Sequence, residues 1–127
     1  MREIKFRAWS RFEDDNGNDM WAMDEHVAVS LNGKAMTIDG LELDDSILMQ
    51  YTGLKDKNGV DIYEGDILRH PDFDYNENSI EVVKFNYGCF SPFDSDSVGY
   101  QLASNEQKFC SELEVIGNIH ENPELLQ

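Results

Sequence analysis

The chain has 127 residues and a formal charge of −16, from 26 acidic and 10 basic side chains. This length fits one domain with one core, and the excess of negative charge disfavours direct binding to nucleic acid, whose phosphates it repels. No run of about eighteen apolar residues could cross a membrane, and the first ten residues lack the apolar stretch of a secretion signal. We therefore expect a cytoplasmic protein with no membrane segment.

The N-terminal region alternates strand and turn signals. Residues 3–9 alternate polar and apolar side chains, which predicts a half-buried strand. Its inner face is predicted to carry Ile4, Phe6 and Ala8. The polar residues 13–19 contain an Asn-Gly pair and predict a hairpin loop before a second strand at 20–23.

A second hairpin is predicted further along the chain. Apolar residues alternate over 27–31, and Asn32-Gly33 predicts a two-residue turn before a returning strand at 35–38. The apolar residues of 41–48 fit either a helical turn or a strand; we favour a loop followed by a strand at 46–51.

The middle of the chain holds two further turn signals. Asn58 and Gly59 predict a tight turn because both residue types tolerate positive φ, and Asp56 can accept a local backbone N–H. Gly65 is predicted to bend the backbone where a Cβ would collide, and Asp66 to cap the resulting turn. These roles are structural rather than chemical.

Strand signals continue to the end of the chain. Residues 80–85 read as a strong strand that turns and returns at 89–90, and shorter strands are predicted at 98–102 and 112–119. A single helical turn is predicted after Asn122-Pro123. Because strands recur about every ten residues and no segment keeps a helical period, the sequence predicts a mainly β barrel or sandwich with little helix.

Three separated segments resemble the YopX family of phage and prophage proteins. In chain order they are MREIKFRAW, MQYTGLKDKNG followed by IYEGDIL, and EVIGNIHENPELL. The resemblance implies a single YopX-like domain over 1–127, with antiparallel β-hairpins in 1–48 and a part similar to an SH3-like barrel in 49–127. It also implies a phage or prophage origin and a location in the host cell, and it transfers no catalytic residue or cofactor, because members are mostly of unknown function.

Two acidic groups could hold a metal ion. One follows the ligand spacing of a twelve-residue calcium loop, with Asp19 where that loop needs glycine, so we predict a solvated hairpin loop instead. Its ligand positions would be Asp14, Asn16, Asn18, Met20, Ala22 and Glu25. The other group could bind the divalent ion of a nuclease, but such clusters arise by chance among 26 carboxylates. It consists of Asp72, Asp74 and Glu77. We predict no metal and no cofactor.

The cysteines and histidines give no recognisable site. Cys89 and Cys110 are too few for a disulfide scaffold, so we expect reduced thiols, with a single bridge between them left open. Cys89 could be a nucleophile with His120, although a cysteine in a strand is more often part of the core. His26 and His70 complete a scattered set without zinc-ligand spacing.

Four aromatic residues are candidates for a binding surface. They are Trp9, Trp21, Tyr51 and Tyr63. Such residues form an exposed groove for peptides in SH3-like barrels, or they fill the core of a small barrel. Both interpretations are open at the level of sequence.

We interpret the chain as a non-enzymatic module that binds a host or phage protein. The alternative is an acidic nucleic-acid mimic that inhibits a host nuclease or regulator, and a metal-dependent enzyme ranks third. A homo-oligomer is also predicted, because Lys5 and Arg7 form a basic row on an N-terminal strand that would otherwise be an open edge.

Overall fold

The computed structural model describes residues 4–37, 39–43, 45–70, 80–86, 89–91 and 112–126. These residues confirm a mainly β protein whose described helix is a single 3₁₀ turn at Pro123–Leu126. The strands are β1 (Phe6–Glu13), β2 (Asp19–Asp24), β3 (Val27–Val29), β4 (Ala35–Thr37), β5 (Ser46–Lys55), β6 (Asp61–Tyr63), β7 (Asp66–Arg69), β8 (Ile80–Val82), β9 (Lys84–Asn86), β10 (Cys89–Ser91) and β11 (Glu114–Asn118).

The chain divides into two compact units, Met1–Tyr51 and Thr52–Gln127. Strand β5 runs through the boundary: residues 46–50 pair with β1, and the strand also pairs with β6. The single YopX-like domain with parts at 1–48 and 49–127, and the SH3-like barrel, stay predictions. The strand expected at 98–102 lies outside the described residues.

In unit 1, β1 lies between β2 and β5, and both pairings are antiparallel. The strand starts at Phe6 and ends at Glu13, whereas the alternation indicated 3–9. Its end lies further along the chain because β2 provides pairing partners as far as Glu13↔Asp19. Ala8 is fully buried, as expected for the inner face, whereas Ile4 precedes the strand and is exposed. The premise that the N-terminal strand would be an open edge is therefore wrong; the oligomeric state itself stays a prediction.

Four turns share one hydrogen-bond pattern. In each, the first residue donates its N–H to the carbonyl of the fifth residue and accepts the N–H of the glycine at the fourth. The four sequences are DDNGN, SLNGK, TIDGL and DKNGV, starting at 14, 30, 37 and 56. This is the three-residue hairpin loop with a left-handed glycine, so the two-residue turn expected at Asn32-Gly33 is wrong. The φ of Gly33 is 81°.

The side chain of the first residue completes each of these turns. It accepts a hydrogen bond from the backbone N–H of the fifth residue, at 2.9 to 3.1 Å. The four acceptors are Asp14, Ser30, Thr37 and Asp56. Carboxylates and hydroxyls bond their own backbone in this way, which explains why each turn begins with Asp, Ser or Thr.

In unit 2, β7 lies between β8 and β11. The core here is built from side chains of β6, β7, the β8–β9 junction and the residue before β11: Ile62, Leu68, Val83 and Leu113, with Leu54, Phe90 and Val115 packed against them. The strand expected over 80–85 is divided in two at Val83, which is buried and bonds to the turn before β7.

The turn between β6 and β7 contains Gly65 and is capped by Asp66, whereas the predicted collision of a Cβ at Gly65 stays a prediction. Gly65 has a φ of 84°, and the carboxylate of Asp66, itself buried, accepts the N–H of Tyr63 at 2.8 Å. The N–H of Gly65 donates to the carbonyl of Val83, and its carbonyl accepts the N–H of Ile119, both at 2.9 Å. The corner therefore joins the β8–β9 junction to the end of β11.

Candidate functional site

One face of the unit 1 sheet carries exposed aromatic and aliphatic groups. Paired residues of neighbouring strands share a face, so Trp9 lies with Met23 on one side of it and Ile47 on the other. Trp21, opposite Arg11, also belongs to this face. Trp21 is 45% exposed and Ile47 is 47% exposed. We call Trp9, Trp21 and Ile47 the aromatic patch.

The two indole rings of the patch stack on each other. Their centroids are 6.1 Å apart and their planes differ by 18°. Trp9 is partly buried, so it fixes the ring of the more exposed Trp21 against the sheet. Offset stacking of this kind holds a large apolar surface in one orientation without further ordering, which favours binding.

Arg11 lies beside Trp21 and is held by two carboxylates. Its Nε donates to Asp45 Oδ2 at 2.9 Å, its Nη2 also contacts that oxygen, and its Nη1 donates to Asp19 Oδ2 at 3.1 Å. Hydrogen bonding to Asp45 and the charges of both carboxylates raise the pKa of the Arg11 guanidinium above its ordinary value. The positive charge of Arg11 beside the patch is thereby compensated, and the three side chains together keep one negative charge.

The two tyrosines proposed for a binding surface lie elsewhere. Tyr51, in unit 1, is 4% exposed and Tyr63, in unit 2, is 5% exposed. The ammonium of Lys5 lies over the Tyr51 ring, 4.5 Å from its centroid. Both tyrosines are buried, so of these four residues only the two tryptophans contribute to an exposed aromatic surface.

The acidic loop before β2 forms a hairpin turn. The carboxylate of Asp14 accepts the N–H groups of Asn16 and Asn18, both at 2.9 Å. These bonds lower the pKa of Asp14, the bond from Asn18 most strongly. The described part of the chain omits residues 71–79 and 92–111, among others. Within it, no group of three or more His, Cys, Asp or Glu residues could hold a metal ion.

Several of the residues singled out from the sequence fall outside the described part of the chain. Asp72, Asp74, Glu77 and Cys110 lie outside the described residues, and so does the side chain of Cys89. His70 is fully buried at the end of β7, with its Nε2 3.6 Å from Glu112 Oε2.

Asp56 is a structural residue with a wider role than sequence reasoning assigned. Besides closing its own turn, its second carboxylate oxygen accepts the N–H of Val115 at 3.0 Å, and the next residue, Lys57, donates its N–H to the carbonyl of Leu113 at 2.9 Å. The turn sequence predicts only the hydrogen bonds within the turn, because Val115 is 59 residues away from Asp56 in the chain.

The family model for the YopX protein matches residues 5–127 of this chain. The chain belongs to the YopX family. Three solved chains also match, and among them is the crystal structure of protein EF1440 from Enterococcus faecalis. That protein is 29% identical, the alignment covers 100% of both chains, and the TM-score is 0.57. No curated protein matches.

The segments that carry the YopX resemblance have clear structural places. The second spans β5 to β7 and the third spans β11 and the 3₁₀ turn, and β7 pairs with β11 so that Asp66 lies opposite Asn118. From Thr52 onward, the second segment and the third therefore form turns and strand pairs of unit 2. Within the described part of the chain, no helix is long and apolar enough to span a membrane.

Proposed function

We propose that this member of the YopX family is a non-enzymatic module that binds a host or phage protein through the aromatic patch of unit 1. The observation that carries the proposal is the stacked Trp9–Trp21 pair, whose outer ring is 45% exposed. Tryptophan is enriched among the residues that dominate binding energy, and leaving such a ring in water is unfavourable unless a partner covers it.

The surroundings of the patch support a protein partner. Ile47 extends the apolar area beside Trp9, and Arg11 with its two carboxylates forms a polar edge beside Trp21. An apolar centre with a polar rim is the usual anatomy of a protein interface.

The test uses two variants of the tagged protein. Trp21→Ser removes the exposed ring, and Leu31→Ser removes an exposed apolar side chain from the β3–β4 turn of the same unit, outside the patch. Proteins captured from bacterial lysate by the unmodified chain are identified, purified and titrated against all three forms.

We expect Trp21→Ser to weaken the purified partner's affinity by about tenfold or more and Leu31→Ser to leave it unchanged. Equal affinity for all three forms would refute the patch as the binding surface. A basic DNA-binding partner whose affinity collapses with salt, independently of Trp21, would instead support the acidic nucleic-acid mimic.

A further inference from the structure

Strand β2 ends the unit 1 sheet on one side. In the described part of the chain its only paired neighbour is β1. An edge strand presents unpaired backbone N–H and C=O groups along its outer side, and an extended peptide can add to such an edge as a further strand.

The backbone groups that face outward can be assigned from hydrogen bonds at the two ends of β1. Arg11 donates its N–H to Asp45, and the carbonyl of Lys5 accepts the N–H of Tyr51, so the odd-numbered residues of β1 point toward β5. The even-numbered residues therefore bond to β2, through the pairs Ala8↔Asp24, Ser10↔Ala22 and Phe12↔Met20.

Since backbone direction alternates along a strand, the outward groups of β2 belong to its three other residues. They are Asp19, Trp21 and Met23. Their side chains lie on the face of the sheet that holds the aromatic patch. A strand added here would meet the Trp21 ring with alternate side chains while its backbone bonded to β2.

The charge of this hairpin selects the kind of strand. Residues 11–26 hold six carboxylates and one arginine, Arg11, which is already paired with Asp19 and Asp45. A second copy of the chain would bring like charges together, whereas a cationic strand would be attracted.

We propose that an extended cationic segment of the partner protein adds to the outer edge of β2, placing apolar side chains on the aromatic patch and basic side chains on the opposite face of the sheet, which carries Asp24 of β2. This inference rests on the proposed function and deepens it, because it names the chemistry and the conformation of the partner.

The probe is a synthetic peptide of about eight residues that alternates valine with lysine. One control replaces lysine with glutamate, and a second carries N-methyl groups on alternate backbone nitrogens, which removes one edge of hydrogen bonds without changing charge. We expect the unmodified lysine peptide to bind and the glutamate peptide not to bind. N-methylation of the nitrogens that face away from β2 should preserve binding, whereas N-methylation of the nitrogens that face β2 should abolish it.

Amide hydrogen exchange supplies a readout that needs no variant. Binding should slow exchange of the Trp21 and Met23 amides, whereas the Ala22 amide, already bonded to β1, should change little. Peptide binding without protection of Trp21 and Met23, or no binding of the lysine peptide, would overturn the proposal.

The variant Met23→Pro separates this inference from the proposed function. The N–H of Met23 faces outward, so proline is tolerated at this edge while it blocks an added strand and leaves both tryptophans in place. We expect about a tenfold or greater loss of affinity for the peptide and for the purified partner. If the partner still depends on Trp21 but not on Met23→Pro, edge pairing is wrong and the patch stands; if neither change matters, both proposals fail.

Discussion

At the scale of single residues, Gly117 leaves no room for a side chain. A Cβ at this position would lie 2.6 Å from Asn122 Oδ1 and 2.8 Å from Asn122 Cγ. The same Oδ1 accepts the N–H of Asn118 at 3.2 Å, and the β7–β11 register shifts between Val115 and Gly117. A methyl group here must displace the Asn122 side chain and break its bond to the end of β11.

We therefore expect Gly117→Ala to lower the free energy of unfolding by about 1–3 kcal/mol, measured by urea denaturation. A double-mutant cycle that combines Gly117→Ala with Asn122→Ala tests whether the clash with Asn122 causes this loss of stability. Because both changes break the same hydrogen bond, the double variant should lose less than the two single losses added together. Strict additivity would show that the clash with Asn122 is not responsible.

Asp14 gives a residue-scale prediction about pH. Its pKa is lowered below the ordinary 3.8, first by the N–H of Asn18 and also by that of Asn16. A carboxylate with a lowered pKa stabilises the folded state above its unfolded-state pKa, and this contribution disappears as the pH falls through the folded-state value. We expect the stability advantage of the native protein over Asp14→Asn to vanish in this range, below about pH 3.8, as followed by thermal unfolding. A difference that stays constant as the pH is lowered well below 3.8 would contradict the assignment.

Single-residue reasoning from sequence succeeded where chemistry is local. The left-handed conformation of Gly65 and the capping carboxylate of Asp66 follow from residue type and immediate neighbours. The bond from Val115 to Asp56 depends on a contact distant in sequence, so no local pattern predicts it. Burial of Tyr51 and Tyr63 was equally undetermined, because aromatic side chains serve cores and surfaces alike.

At the scale of secondary-structure elements, the recurrent turn depends on one conformation. Gly33 has a φ of 81°, and a Cβ there would meet nothing within 4 Å, so substitution costs backbone strain and no collision. We expect Gly33→Ala to destabilise unit 1 by about 1 kcal/mol and Gly33→Asn by less, because asparagine tolerates the left-handed region. Chemical denaturation measures both; equal losses would mean that φ is not the cause.

The alternation of polar and apolar residues predicted where the strands of unit 1 lie in the sequence better than it predicted their order in the sheet. Alternation places Phe6 and Ala8 on one face, yet it cannot show that Arg7 on the other face is buried too. Arg11 and Glu13 lie on the same face of the same strand and are exposed, so the burial of Arg7 depends on what packs against that end of the face, which is a property of tertiary structure. Because the alternation does not give the order of strands in the sheet, it also made the N-terminal strand look like an open edge, although the edge strand is β2.

At the scale of the whole molecule, negative charge exceeds positive charge by 16, so carboxylates without a cationic partner are unavoidable. Lysine–glutamate pairs such as Lys57–Glu114 and Lys34–Glu42 lie at the surface, where water screens them. Exposed pairs contribute about 0–1 kcal/mol each, whereas the excess carboxylates repel one another throughout the folded chain. Repulsion should therefore outweigh attraction in the net electrostatic energy.

Salt provides the measurement of that balance. Sodium chloride screens attraction and repulsion alike, so it raises the thermal midpoint if repulsion dominates and lowers it if ion pairs dominate. We expect a rise that flattens by about 0.3 M, where screening has become short-ranged. The control is the double variant Asp15→Asn with Glu25→Gln, which neutralises two exposed carboxylates of the unit 1 hairpins and should gain less from salt. A thermal midpoint that falls with added salt would show that attraction within the ion pairs outweighs repulsion between the carboxylates.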